Sequence, residues 1–186
     1  MPLLTTERLA VTAHMIAEKT FRSLLHAEGP DPALAEKLKL YGWLVGSWNM
    51  DVVLHDPLGN RTTGMGEIHF GWVLGGRAIQ DIWVSPRFDS GQPARMLGTT
   101  LRIYDPVIDA WHILWNDPVK HYHSRQIGRA DGPDIVQVGT DGTGDRVRWR
   151  FTEIQPNSFH WIGERAASGC TMWRTEVEFF AARAGS

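Results

Sequence analysis

Trp111-His112-Ile113-Leu114-Trp115 decides the reading of this 186-residue chain. Its bulkiest apolar side chains fall on alternate positions, so an extended segment here has one dry face and one mixed face. Val147-Arg148-Trp149-Arg150-Phe151 repeats the design with arginines between the apolar positions. Outward from these two segments the same period recurs from Trp48 to Phe180. It predicts strands at about 47–55, 62–72, 76–84, 95–104, 110–116, 121–130, 134–140, 145–155, 158–166 and 170–182. The punctuation between them is hairpin chemistry: Asp56-Pro57-Leu58-Gly59-Asn60, Gly75-Gly76, Asp105-Pro106, Asp131-Gly132-Pro133, Asp141-Gly142 and Pro156-Asn157. Short strands with no intervening helix cannot form a parallel sheet, whose neighbours need long crossovers. The fold class is therefore mostly β, an antiparallel up-and-down barrel of about ten strands.

The first forty residues read differently. Thr5 or Thr6 caps a predicted helix with Leu9, Ala13, Ile16, Ala17, Phe21, Leu24 and Leu25 on one stripe. Gly29-Pro30 ends it. Asp31 as N-cap and Pro32 at the first helical position predict a second helix, with Leu34, Leu38 and Tyr41 facing inward. The chain divides into an N-terminal helical extension (1–41) and a barrel domain (42–186). These helices either cap the barrel mouth or pair between subunits, which would make a homodimer.

A net charge of −2 and a pI near 6.4 lack the basic stripe of a nucleic-acid partner. Arg146, Arg148 and Arg150 alternate with apolar residues and read as one solvated strand face. Cys170 is the only cysteine, so no internal disulfide forms; a buried, inert thiol and a cytoplasmic location are expected. No segment reads as a signal peptide or membrane span, so no membrane partner is expected.

Face assignment gives the interior. Trp48/Met50/Val52/Leu54, Leu97/Thr99/Leu101/Ile103, Trp111/Ile113/Trp115, Val136/Val138, Val147/Trp149/Phe151, Phe159/Trp161 and Trp173/Thr175/Val177/Phe179 are read as inward. Two strands are two-sided. Ile79/Asp81/Trp83 competes with Ala78/Gln80/Ile82/Val84, and His121/His123/Arg125 competes with Tyr122/Ser124/Gln126. Trp48, Trp83, Thr99, Trp111, Trp115, Trp149, Trp161 and Trp173 are the candidate ligand-binding residues. Stacked indoles leave gaps that suit a flat, apolar or aromatic small molecule; a solid aromatic core is the competing reading.

Asp81 is the candidate acid. Between Ile79 and Trp83 its carboxylate would sit in apolar surroundings suited to proton transfer, with His123 and Tyr122 as assistants. The alternative for Asp81 is an ion pair with Arg77 or Arg102. Glu67 and Glu164 are weaker candidates of the same kind. His121 and His123 share a strand side, and His112 or His160 would have to complete a metal set. No metal and no cofactor are expected. Phosphate-loop and serine-elbow motifs are absent from the sequence.

Gly46-Ser47-Trp48, opening the first strand after a helical lead-in, resembles the start of lipocalin-like (calycin) barrels. Gly66-Glu67-Ile68-His69-Phe70, Gly76 to Trp83, Leu101 to Pro106, and Trp111 to Trp115 followed by Asp117-Pro118 are similar to an uncharacterised group of bacterial calycin-like domains. The resemblance covers residues 42–183 and implies a ten-stranded barrel with a central pocket. Relatives in the wider superfamily bind fatty acids, retinoids, pigments or haem, and a few are isomerases, hydratases or cyclases. Haem-binding barrels of similar fold carry a glycine-rich first strand, where this chain has bulky residues. Two functions follow: binding a small apolar or aromatic molecule in a tryptophan-lined cavity, or a cofactor-free cyclase, hydratase or isomerase using Asp81 in that cavity.

Overall fold

Aspartates open several of the hairpin turns and hold them by accepting backbone N–H bonds. In the computed structural model, which describes residues 20–185, Asp56 Oδ1 accepts from Leu58 and Asn60, each at 2.8 Å. Asp105, Asp117 and Asp141 do the same for Val107, Val119 and Thr143. Turns this tight join antiparallel neighbours, so consecutive strands lie side by side.

The elements in order are α1 (Phe21–Leu25), β1 (His26–Ala27), α2 (Ala35–Gly42), β2 (Gly46–His55), β3 (Arg61–Val73) and β4 (Ala78–Ser85). A single 3₁₀ turn at Phe88–Ser90 precedes β5 (Met96–Asp105), β6 (Ala110–Asp117), β7 (Tyr122–Asp131) and β8 (Asp134–Asp141). Then come β9 (Arg146–Gln155), β10 (Ser158–Ala166) and β11 (Arg174–Arg183). Strands β2 to β11 pair in sequence, and β11 returns to β2 through Val177↔Leu54 to Arg183↔Trp48. The result is a closed ten-stranded antiparallel barrel. Short β1 adds His26 and Ala27 to β3 opposite Val73 and Trp72.

Every strand expected from the alternation is present, with β11 starting a few residues late. The N-terminal helices are corrected. The stripe from Leu9 to Ala17 and its Thr5 or Thr6 cap lie outside the described residues. Within them, Thr20 caps a helix that ends at Leu25, before Gly29-Pro30, because the backbone turns extended at His26 to pair with β3. Asp31 caps a turn rather than a helix, accepting from Ala33 N at 2.8 Å, and α2 begins three residues after Pro32. Only α2 has eight residues; α1 has five. Leu38 and Tyr41 face inward as expected and are fully buried.

Helix α2 plugs one end of the barrel. Tyr41 stands edge-on to Trp111 at 4.8 Å, and Trp48 to Phe159 at 4.9 Å between ring centroids. The carbonyls of Leu40 and Leu44 accept the indole N–H of Trp43 at 2.9 Å and of Trp48 at 2.7 Å. Helix ends leave carbonyls without partners, so the Gly-Ser-Trp that follows closes this end chemically as well as sterically. Arg183 completes it, donating to Trp43 O at 2.8 Å and lying over the Trp48 ring at 4.1 Å. Helix α2 thus packs Leu38 and Tyr41 into the same core cluster as the barrel residues.

Two strands face the opposite way from their apolar pattern. In β5 the inward residues are Met96, Gly98, Thr100 and Arg102, while Leu97, Thr99, Leu101 and Ile103 look outward. In β8 Ile135 and Gln137 point in, and Val136 and Val138 point out. The cause in β5 is local. A Cβ at residue 98 would run into the Trp115 indole, so only Gly98 fits beneath it. Arg102 then reaches Asp81 across the strand pair, both side chains being at most 1% exposed. In the two-sided β4, Ile79, Asp81 and Trp83 face in, and Ile82 faces out. In β7 Ser124 and Gln126 face in, leaving His121, His123 and Arg125 on the exterior.

An isolated buried charge is far costlier than a buried pair. Asp81→Asn should therefore lower unfolding free energy by about 3–5 kcal/mol in urea titration. The double replacement Asp81→Leu/Arg102→Met should recover most of that loss. Equal stability of the single variant and the parent would contradict the pairing.

Candidate functional site

Four indoles line an open hollow above the plug. Trp83 on β4, Trp115 on β6, Trp149 on β9 and Trp161 on β10 contact one another in a circuit. Their successive centroid separations are 6.4, 6.1, 5.4 and 5.6 Å. Phe179 of β11 packs beside Trp161 at 4.9 Å and Trp83 at 5.1 Å. The chamber they line has a volume of about 260 Å³, and Thr100, Arg102, Asp117 and Val177 share its wall with the charged Lys120, Glu164, Arg165 and Glu176. A vestibule of about 620 Å³ adjoins it between the β2–β3 hairpin and the loop after β4. Met96, Lys120, Val177 and Phe179 line both spaces. The barrel is thus filled at the α2 end and hollow at the other.

The candidate ligand residues separate accordingly. Trp83, Trp115, Trp149 and Trp161 line the chamber. Trp48 and Trp111 do not; both are buried in the plug against α2. Thr99 lies on the outer face, donating to Asp81 O at 2.6 Å, and its neighbour Thr100 takes the inward place. Trp173 is outside as well, held by the guanidinium groups of Arg146 at 4.7 Å and Arg148 at 4.6 Å. Trp173 precedes β11, and a bulge between Gly163 and Glu164 shifts the β10–β11 register so that Thr175 loses the parity of Val177 and Phe179.

The proposed acid–base residues are not brought together. Asp81 sits behind the chamber wall with both oxygens engaged: Oδ1 accepts Thr100 N at 2.7 Å, and Oδ2 pairs with Arg102. Arg102 is the partner and Arg77 is not, since Arg77 pairs with Asp31 at 2.8 Å. His123 is exposed on the outer wall. Tyr122 does reach the chamber, but burial pushes its phenol up to about 12, against the pull of nearby Arg165. It remains protonated at neutral pH and is no base there. Arg165 gathers Asp141, Glu176 at 3.0 Å and Asp145 at 3.3 Å around it. Glu164 is held by a two-pronged contact from Arg148 at 2.6 and 2.7 Å.

Polar atoms at the chamber are unevenly satisfied. The indole N–H groups of Trp83 and Trp161, the Arg102 Nε–H and Asp117 Oδ2 are buried without a hydrogen-bond partner. Thr100, Arg102 and Asp117 were not candidates in the sequence. Arg102 had a signal as the partner of Asp81; Thr100 and Asp117 had none beyond the turn role of Asp117.

The histidines are dispersed. His112 pairs with Asp105 at 2.9 Å, while His55 and His160 share Glu178 at 2.8 Å each, on the barrel exterior. No group of metal-ligating side chains occurs among the described residues. Cys170 is exposed rather than buried, in the loop before β11. No helix among the described residues is long and apolar enough to cross a membrane.

No family model matches the chain, and no curated protein matches it. Solved structures do. Rv2717c from M. tuberculosis superposes with a TM-score of 0.60 at 14% identity, covering 83% of this chain and 98% of that one. The S-type phycobiliprotein lyase CPES from Guillardia theta gives 0.57 at 12% identity, with 80% and 92% covered. The fold is a lipocalin-like, calycin-type barrel. Identities this low bear on the backbone and leave the chamber's chemistry to this chain's own residues.

Glu178 provides a pH test of the calycin-like wall. Burial raises its carboxyl, but hydrogen bonds from His55 and His160 outweigh that and hold it below its ordinary 4.5. A folded value below the unfolded one stabilises above the unfolded value and is lost as pH falls through the folded one. Thermal unfolding measured at descending pH should show that loss begin near 4.5. In Glu178→Gln this acid-side fall should be shallower, with about 1–2 kcal/mol already missing at neutral pH. Superimposable pH profiles for the two proteins would refute the assignment.

Proposed function

We propose that this calycin-like barrel binds a small apolar or aromatic molecule in the chamber walled by Trp83, Trp115, Trp149 and Trp161. The observation that carries the reading is the hollow itself, about 260 Å³ of space bordered by an aromatic circuit. Proteins normally fill their interiors to crystal density, and the α2 end of this barrel does so. A cavity of about 150 Å³ already accepts benzene, so this one suits a guest of two fused rings. The shared lining of chamber and vestibule supplies an entry route. Indole faces offer such a guest edge-to-face and offset-stacked contacts.

A catalytic use of the same chamber has less support. Asp81 is committed to Arg102 and Thr100, Tyr122 holds its proton, and His123 lies outside.

Tryptophan emission titrated with naphthalene-class compounds should be quenched saturably, because four of the nine indoles would touch the guest. Val177→Phe, which intrudes on the chamber, should weaken binding on the order of tenfold while leaving the fold intact by circular dichroism. Absence of saturable quenching with any aromatic probe, or undiminished binding by the folded variant, would remove the reading.

A further inference from the structure

We infer that the guest is an aryl carboxylate, whose anionic group is met by the ammonium of Lys120 where the chamber joins the vestibule. The inference rests on the chamber being a binding site, and it adds the charge and orientation of the ligand's polar end.

Lys120 stands on the turn between β6 and β7 and lines both spaces. Its backbone N–H is fixed by Asp117 Oδ1 at 3.0 Å, while its exposed side chain has no acidic partner among the described residues. Arg95, just before β5 on the vestibule wall, is placed alike. Its N–H donates to Ser85 O at 2.8 Å, and its guanidinium has no carboxylate partner among the described residues. A cation already free of an ion pair receives an anion without breaking one. Such attraction is stronger at a low-polarity rim than in open water.

The other charges on these walls are matched or sealed. Glu164 is held by Arg148 at 2.6 Å, Glu176 by Arg174 at 2.6 Å and Arg165 at 3.0 Å, and Asp89 by Arg87 at 3.2 Å. Arg102 is paired with Asp81, and Arg165 also with Asp141. Asp117 has no basic partner among the described residues. It is 2% exposed, with Oδ1 accepting the N–H groups of Val119 and Lys120 and Oδ2 buried. Asp117 lines the chamber and not the vestibule; Arg95 lines the vestibule and not the chamber. Unmatched charge is thus negative within and positive toward the vestibule, with Lys120 at the junction. An anion sunk among the indoles would meet Asp117, where like charges repel. Its favoured pose leaves the rings to the tryptophans and turns the carboxylate outward to Lys120, with Arg95 beyond.

Three probes on one ring system test this on the full chain: 2-naphthylacetate, neutral 2-naphthylacetamide and cationic 2-(2-naphthyl)ethylamine. Tryptophan-emission titration at neutral pH and low salt should rank them acid, amide, amine. The deciding quantity is the acid-to-amide affinity ratio, in which changes of wall shape common to both probes cancel. In Lys120→Gln that ratio should fall about twofold to fivefold, the yield of a partly exposed ion pair. It should recover in Lys120→Arg and fall further in Lys120→Glu. Rising salt should shrink the ratio in the parent and leave it level in Lys120→Gln/Arg95→Gln, because screening acts on charge and not on packing. A parent ratio near one, or a ratio insensitive to Lys120 and to salt, would overturn the inference while the chamber stands. Preference for the amine would overturn it in favour of Asp117 as the recognising charge. Failure of all three probes to bind would overturn the chamber reading itself.

Discussion

The buried pair of Asp81 and Arg102 is the constraint around which the barrel is arranged. Two charges removed from water must stay together, because either one alone would be costly. Holding them together forces β4 to present Ile79, Asp81 and Trp83 inward and β5 to present Gly98, Thr100 and Arg102. The guanidinium lies 5.5 Å from the Tyr41 ring centre, 5.4 Å from Phe70 and 5.9 Å from Phe151. It also borders the chamber. It thus marks the boundary between two regions of one interior, a solid aromatic plug on the α2 side and a hollow beyond.

These regions follow different rules. In the plug, polar atoms are consumed locally: the Trp48 indole serves Leu44 O, and Gln137 donates to the Tyr41 hydroxyl at 3.0 Å. In the hollow, the largest side chains leave space, and the buried indole N–H groups of Trp83 and Trp161 have no partner. Stability alone would favour the first arrangement throughout, since voids and orphan donors both cost free energy. Departures from local consistency are expected where a protein does its work. That is the physical reason for placing function at the open end, and the calycin-type backbone is compatible with it.

The strands, their order and their turns were legible because alternation and Asp-Gly chemistry are local signals. Inner surfaces were legible only where the interior is apolar. Trp111, Ile113 and Trp115 announced themselves. Thr100 and Arg102 did not, since an inward-facing polar strand with Leu97 and Leu101 on its back inverts the usual pattern. Trp173 was misread because the last strand begins only at Arg174, and Trp48 and Trp111 because filled and hollow halves of a barrel share one alternation. The early end of α1 was hidden because pairing of His26 with Val73, far along the chain, overrode the helical stripe.

By itself, then, the sequence determined an antiparallel barrel with tryptophans inside, because period-two patterning and turn residues act over a few neighbours. Only the tertiary structure decided which indoles meet a plug and which surround space. That choice depends on what stands opposite each ring across the barrel, and on where a single ion pair anchors the inner faces of β4 and β5.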